Sequence, residues 1–140
     1  MITNKLSSSG LKQTFARKVI LEFLEKTKTH PTADMIYAQT VKIIPTVSRT
    51  TVYNTVKVLA KEGIIDRVLT KKGEMRFDAC KEPHIHFACN KCGKVFDIKN
   101  CSCAKLGKEV DGHKVSGLFI CYSGICQSCG KKGIIKKRRS

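Results

Sequence analysis

The sequence predicts an α+β chain in two parts: a helical N-terminal part closed by a hairpin, and a smaller, strand-rich C-terminal part. Three observations carry that expectation. Apolar residues recur at helical spacing from Phe15 to Ala60. Two β-prone runs follow, on either side of a Lys71-Lys72-Gly73 turn. All eight cysteines lie between Cys80 and Cys129.

Taken in order, Phe15, Val19, Ile20, Phe23 and Leu24 mark a first helix. A second opens near Thr32, a hydroxyl N-cap just after Pro31, and carries Ile36, Tyr37 and Val41 until Pro45 ends it. Ser48 caps a third, which runs to about Glu62 and stops at Gly63. Its buried face is Val52, Val56, Leu59 and Ala60. The hairpin strands span 64–70 and 74–78. Three helices and then a hairpin is the order of a winged helix-turn-helix. The C-terminal part shows candidate strands at 84–88, 95–98 and 114–121, and a candidate helix at 104–110. The expected layout is a winged-helix domain at 1–77, a hinge at 78–83, a metal-binding domain at 84–130 and a basic tail at 131–140. Each half is small and buries a modest share of its surface, so each needs help from a metal ion or a second subunit.

The chain of 140 residues holds 27 Lys and Arg against 11 Asp and Glu, a net charge of +16. Such a protein meets a polyanion: DNA, RNA or an anionic membrane. Fourteen basic and six acidic residues fall in 1–76, whereas seven basic and five acidic residues fall in 77–130. The positive field therefore sits on the helical part and the tail. No apolar run approaches the roughly 18 residues that span a bilayer. The first twelve residues lack the apolar core of a signal peptide, so a cytoplasmic protein is expected. In a reducing compartment paired cysteines hold metal more often than disulfides.

If the third helix buries Val52, Val56 and Leu59, its other side presents Arg49, Thr50, Tyr53, Asn54, Lys57 and Lys61. Arg pairs with guanine and Asn with adenine in the major groove. Lys71 and Lys72 of the wing suit backbone contacts. The plainer reading is a solvated basic face; the charge distribution and helix order favour DNA.

Cys89-Asn90-Lys91-Cys92 and Cys126-Gln127-Ser128-Cys129 are two CxxC knuckles. Both thiolates of a knuckle reach one ion, and two knuckles complete a tetrahedral four-sulfur site suited to structural zinc. Gly93 and Gly130 follow the knuckles, where tight turns use their backbone freedom. Disulfides or a redox pair are the competing reading. A saturated site of this kind has no open position for catalysis.

His84-Ile85-His86 places two imidazoles on one face of a strand. Alone, that pattern is more often a pair of surface or core histidines. Asp78, Asp97 and His30 complete a mixed nitrogen and oxygen set suited to Fe(II), Mn(II) or Zn(II), but spacing does not by itself join them to it.

Several segments together resemble the ferric uptake regulator family. They are His30-Pro31-Thr32-Ala33-Asp34-Met35-Ile36-Tyr37, Ser48 to Thr55, Arg76-Phe77-Asp78, His84-x-His86, Cys89-x-x-Cys92-Gly93-Lys94 and Cys126-x-x-Cys129, in family order over nearly the whole chain. The resemblance implies a winged-helix domain hinged to an α/β dimerisation domain. It implies a homodimer that represses transcription by binding an inverted repeat in double-stranded DNA when its regulatory metal is loaded. It assigns structural zinc to Cys89, Cys92, Cys126 and Cys129. It assigns regulatory Fe(II) or Mn(II), with Zn(II) as an alternative, to His30, Asp78, His84, His86 and Asp97. Arg17 and Thr51 join the DNA-facing set. Asp97, where iron-sensing members commonly carry Glu, points to the peroxide-sensing branch, in which His30 and His84 are the oxidisable ligands. Iron-uptake and zinc-uptake regulators are the alternatives within the family.

The chain departs from the pattern in places. Phe15 and Ala16 replace the Pro and Gln of the usual Thr-Pro-Gln-Arg, although Arg17 remains. The stretch between the knuckles is short. Gly117 and Leu118 stand where relatives often have histidines, so an additional metal site is not expected. Cys80, Cys101, Cys103 and Cys121 are extra, with buried free thiols as their plain reading. Cys80 is close enough in sequence to His84 to be a ligand, as in zinc-sensing relatives. A metalloenzyme using His84, His86 and Asp97 is a remote alternative, since no HExxH or H-x-E…PCxxC pattern occurs. A zinc-stapled interaction module with incidental positive charge is another.

Overall fold

A computed structural model describes residues 2–70, 72–80, 84–98, 107–116 and 118–131. Its contacts divide the chain into two compact units, residues 1–81 and 82–140.

The first unit is helical with a two-stranded ribbon. Its helices are α1 (Ile2–Ser8), α2 (Phe15–Lys26), α3 (Ala33–Ile43) and α4 (Arg49–Lys61). The last three each start on a hydroxyl cap. Thr14 accepts from the N–H of Arg17 at 3.2 Å, Thr32 from Met35 at 3.2 Å and Ser48 from Thr51 at 3.0 Å. Such caps contribute about 1 kcal/mol each. Gly63, at φ +69, follows α4 in a left-handed conformation that costs a glycine little. Ile20, Leu21 and Leu24 of α2, Ile36 of α3, and Val52, Val56 and Leu59 of α4 share one core with Ile64, Ile65 and Phe77. Ala60, expected in that face, is only partly buried. Thr55 takes the inner position, its hydroxyl satisfied by the carbonyl of Thr51 at 2.7 Å. Helix α1 is not among the elements expected from the sequence; it inserts Leu6 into the same core and pairs Lys5 with Glu25 at 2.7 Å. Strands β1 (Asp66–Leu69) and β2 (Met75–Asp78) pair antiparallel, Asp66 facing Asp78 and Leu69 facing Met75. They are shorter than the expected runs at 64–70 and 74–78. Lys71 of the turn lies outside the described residues.

The second unit is built on a three-stranded sheet. Strand β3 (Ile85–Cys89) lies between antiparallel β4 (Val95–Ile98) and parallel β7 (Cys121–Gly124). A separate ribbon joins β5 (Glu109–Val110) to β6 (His113–Lys114). Asp111 at φ +48 and Gly112 at φ +78 make the link. Both turn residues have positive φ, the requirement of a tight type I′ hairpin. This overturns the helix expected at 104–110 over its described part, 107–110; residues 104–106 lie outside the described residues. Among its described residues, the strand expected at 114–121 forms only at its ends, in β6 and at the start of β7. Cys101, Cys103, Gly117 and tail residues 132–140 also lie outside the described residues. Among the described residues, no helix is long and apolar enough to cross a membrane.

Candidate functional site

The four-sulfur cluster follows from sheet topology. Parallel pairing of β3 with β7 sets Cys89 opposite Gly124, so both strands end at one edge of the sheet. The N–H of Asn90 donates to the carbonyl of Gly124 at 2.7 Å and fixes the two exits. The first knuckle folds back through a tight turn, Gly93 N–H to Cys89 carbonyl at 3.0 Å, with Gly93 at φ +73. The second knuckle differs from the expectation. Gly130 needs no special φ, because it sits in a helical stretch at 127–131, its N–H donating to the Cys126 carbonyl at 2.8 Å.

The sulfurs of Cys89, Cys92, Cys126 and Cys129 all lie within 4.8 Å of one another. Cys92 and Cys126 are 3.8 Å apart. A tetrahedron with bonds of about 2.3 Å, the zinc–thiolate length, has edges of about 3.8 Å. The donors therefore fit zinc in number, chemistry and spacing. Backbone N–H groups of Cys126 at 3.3 Å, and of Cys92 and Lys91 at 3.4 Å, point at the Cys89 sulfur. Those of Cys126 and Cys92 foremost pull its thiol down to about 6. Cys129 is pushed up to about 12, first by its hydrogen bond to the Cys126 sulfur and then by burial. All four thiols are free of disulfides.

Nitrogen and oxygen donors gather in each unit. In the first, His30 is buried and adopts φ +51, a left-handed conformation that costs a non-glycine residue about 1–2 kcal/mol. Its loop is sewn to β2. The His30 carbonyl accepts from Arg76 Nη1 at 3.1 Å, and the Pro31 carbonyl accepts from the Phe77 N–H at 3.0 Å. This brings His30 Nε2 to 3.6 Å from Asp78 Oδ2. The other Asp78 oxygen accepts from the Cys80 N–H at 2.9 Å. In the second unit the β3–β4 register sets His86 opposite Asp97. His84 Nε2 and His86 Nε2 are 3.0 Å apart, and Asp97 Oδ1 lies 3.4 and 3.7 Å from them. Donors bonded at about 2.1 Å stand about 3.0 Å apart around an octahedron and about 3.4 Å apart around a tetrahedron. The three converge as ligands of one ion converge. Phe119, which the sequence does not single out, stacks on His86 with ring centroids 5.9 Å apart.

Helix α4 exposes Arg49, Thr50, Thr51, Tyr53, Asn54, Lys57 and Lys61, which makes one polar and basic face. Arg17 lies in the first turn of α2, and its Nη1 donates to the Lys12 carbonyl at 2.7 Å. Sequence reasoning misses Asp34. Its Oδ1 accepts from Arg49 Nη1 at 2.8 Å and from the Tyr53 hydroxyl at 2.6 Å. An acid in the first turn of a helix reads as a dipole partner, and nothing in its spacing announces a bond to the next helix.

The ferric uptake regulator family model matches residues 8–118. The chain is 35% identical over 130 residues to the peroxide operon regulator of Bacillus subtilis (strain 168), covering 91% of this chain and 90% of that protein. Among solved structures it is similar to a zinc-bound manganese uptake regulator, with TM-score 0.69 and 26% identity over 89% of this chain and 98% of that one. It is also similar to PerR from Streptococcus pyogenes, described as a basis for peroxide sensing and gene regulation. That likeness has TM-score 0.53 and 30% identity over 91% of this chain and 90% of the other.

Proposed function

Because the chain belongs to the ferric uptake regulator family, we propose that it is a metal-dependent, DNA-binding transcriptional repressor, not an enzyme, and that it responds to peroxide. The reading places it in the cytoplasm as a homodimer on an inverted-repeat operator in double-stranded DNA. Arg17, Arg49, Thr50, Thr51, Tyr53, Asn54 and Lys57 form the DNA-facing set. Cys89, Cys92, Cys126 and Cys129 hold structural zinc. His30 and Asp78 of the first unit and His84, His86 and Asp97 of the second are the ligands of one regulatory ion, Fe(II) or Mn(II).

The observation that carries this reading is the pair of preformed donor sets, His30 with Asp78 and His84 with His86 and Asp97. Neither set alone saturates an ion that takes five or six ligands, and their residue types suit borderline and hard metals. An ion needing both binds one arrangement of the units better than any other, so occupancy shifts the population toward it. Moving a two-state equilibrium from 1:99 to 99:1 takes about 10⁴-fold preference, roughly 5.5 kcal/mol. Fe(II) held by these residues would open the O–O bond of peroxide, with one of its oxygens leaving as water. On this reading the other oxygen would replace a ring C–H hydrogen of His30 or His84, the two ligands that the family resemblance marks as oxidisable. An oxidised imidazole is a poorer donor, so the set loses a ligand and DNA is released.

The test is a titration of operator duplex with metal-free, Mn(II)-loaded and Fe(II)-loaded protein, before and after peroxide. Tight binding is expected only with metal, and peroxide is expected to abolish it in the Fe(II) form alone. Mass spectrometry then finds one added oxygen on the His30 or His84 peptide. Retention of DNA by a chelated protein that keeps its zinc overturns metal dependence. Release without an oxidised histidine overturns the peroxide chemistry. A zinc-sensing reading draws on Cys80, whose N–H holds Asp78. It requires that Cys80→Ser weaken regulatory zinc binding.

A further inference from the structure

The DNA-facing side of α4 is not free in this structure. Asp34, at the start of α3, holds two of its members with a single carboxylate oxygen: Arg49 Nη1 at 2.8 Å and the Tyr53 hydroxyl at 2.6 Å. Arg49 is held from another side as well, its guanidinium lying 4.6 Å from the centre of the Tyr37 ring. Asp34 and Tyr37 are one turn apart on α3, and Arg49 and Tyr53 are one turn apart on α4. The two helices of the helix-turn-helix are thus tied by a four-residue cluster on their exposed side. Asp34 is about two-thirds exposed, its side chain at 66%. Exposed ion pairs of this kind contribute little to stability. The cluster therefore needs an explanation other than holding the helices together, which the apolar core already does.

We propose that Asp34 is a specificity-determining residue for DNA: it orients Arg49 and Tyr53 for the operator and keeps Arg49 from serving as a free cation for any phosphate. The inference rests on the DNA-binding reading given above. Arg carries five N–H donors in a rigid fork. With Nη1 given to Asp34, the rest of the fork remains for DNA and its plane is fixed. A fixed fork loses less entropy on meeting a matching base edge. A loose one reaches more phosphates, which adds affinity without sequence information. The carboxylate also cancels one positive charge on the face. The same hydrogen bond raises the Tyr53 pKa above its ordinary value, since the phenolate has no proton left to donate to Asp34.

The experiment compares wild type with Asp34→Ala and Asp34→Asn, each with metal loaded. The probes are two duplexes of equal length: one enriched by the wild-type protein from a random pool, and one of scrambled sequence. Binding is measured over a range of salt. For Asp34→Ala, affinity for the scrambled duplex is expected to rise about five- to tenfold at 0.1 M salt. The salt slope should steepen by about one, as for one more phosphate neutralised. Affinity for the enriched duplex should stay within about twofold or fall, so the ratio of the two affinities drops at least fivefold. Asp34→Asn, which keeps an acceptor but not the charge, should recover part of that ratio. Tyr53 should ionise at lower pH in Asp34→Ala, read by NMR. A merely structural role would weaken binding to both duplexes alike and leave the ratio unmoved; that result overturns the proposal. An unchanged ratio with unchanged affinities overturns it equally. If wild type enriches no sequence and binds no duplex, the DNA-binding reading itself fails, and the proposal with it.

Discussion

The two donor sets differ in where their ligands come from. Every sulfur of the four-cysteine cluster is supplied by one unit, at the adjacent ends of paired strands. The nitrogen and oxygen donors are divided, two in the first unit and three in the second. A local, saturated, sulfur-rich set suits an ion that stays and stabilises. A divided set suits an ion that comes and goes, because its binding energy is spent on choosing an arrangement and not on making a unit fold. The burial pattern agrees. Around the thiols, Cys89, Cys126 and Cys129 with Phe87 are themselves an apolar cluster of the second unit. The first unit has an apolar core of its own with no cysteine in it, and its donors His30 and Asp78 are buried as well.

The largest effect is expected from breaking the sulfur set. Cys126→Ser removes one of four ligands and leaves the other thiols packed around nothing. Structural zinc in small domains is worth about 10–16 kcal/mol of binding free energy, which is folding free energy for the unit that holds it. The expected outcome is loss of bound zinc, measured by elemental analysis, and loss of the cooperative unfolding transition of the second unit. The first unit should keep its helical circular dichroism, since its core is its own. A zinc-free variant that melts like wild type would remove the distinction between the two sets.

Breaking the divided set should give the opposite pattern. Asp97→Ala, or a chelator too weak to extract thiolate-bound zinc, is expected to leave zinc content unchanged and shift stability by no more than about 1–2 kcal/mol, as is common for a side chain that is not in the core. Operator affinity should nevertheless fall by about 100-fold, which is roughly 2.7 kcal/mol of coupling and lies within the usual range for linked sites. The check is isothermal titration of metal together with DNA binding at fixed salt.

Much of the fold and of both donor sets is legible in the amino-acid order, and the parts that are not share a cause. Thr32 and Ser48 announce helix starts because a cap is a contact over three residues, visible in a short window. The two knuckles announce a metal site because their spacing is local. Strand β7 departs from its expected bounds because Cys121–Gly124 becomes a strand by pairing with β3, more than thirty residues earlier in the chain. The hairpin at Asp111-Gly112 is a different kind of miss. An Asp-Gly pair is a strong turn signal, and the apparent helix at 104–110 masks it. Helix α1 escapes notice because little of it shows apolar periodicity; Leu6 is its contribution to the core. In the divided set, HxH is visible from spacing, but adding His30, Asp78 and Asp97 requires the family resemblance. The β3–β4 register supplies Asp97 in physical terms, and the Arg76 bond to the His30 carbonyl supplies the His30–Asp78 pair.

A smaller change sharpens the divided set further. Asp97→Glu keeps a carboxylate opposite His86 but lengthens it by one methylene, about 1.5 Å of extra reach. Metal-dependent DNA binding is expected to persist with Mn(II), within about tenfold of wild type. With Fe(II), oxygen uptake at His30 and His84 per peroxide added should drop, as measured by mass spectrometry of the two peptides. Equal oxidation in both proteins would mean that the length of this side chain does not set peroxide reactivity.

The smallest effect on stability is expected at His30, and it separates the two sets most cleanly. His30 is buried, yet its backbone is left-handed. Asn tolerates that conformation better than His does, so His30→Asn relieves part of a strain of about 1 kcal/mol. The smaller side chain also leaves space where the imidazole was, which costs a similar amount. The two terms oppose each other, and the zinc-loaded, otherwise metal-free protein should unfold in urea within about 1 kcal/mol of wild type. Regulatory metal binding should meanwhile be lost, because the first unit gives up its only nitrogen donor in the set. A cysteine of the sulfur cluster cannot be replaced on such terms, since no strain is released there to offset the lost zinc. If His30→Asn instead destabilises the first unit by several kcal/mol, His30 is a core residue that happens to lie near Asp78, and the division of labour between the two donor sets fails at its first ligand.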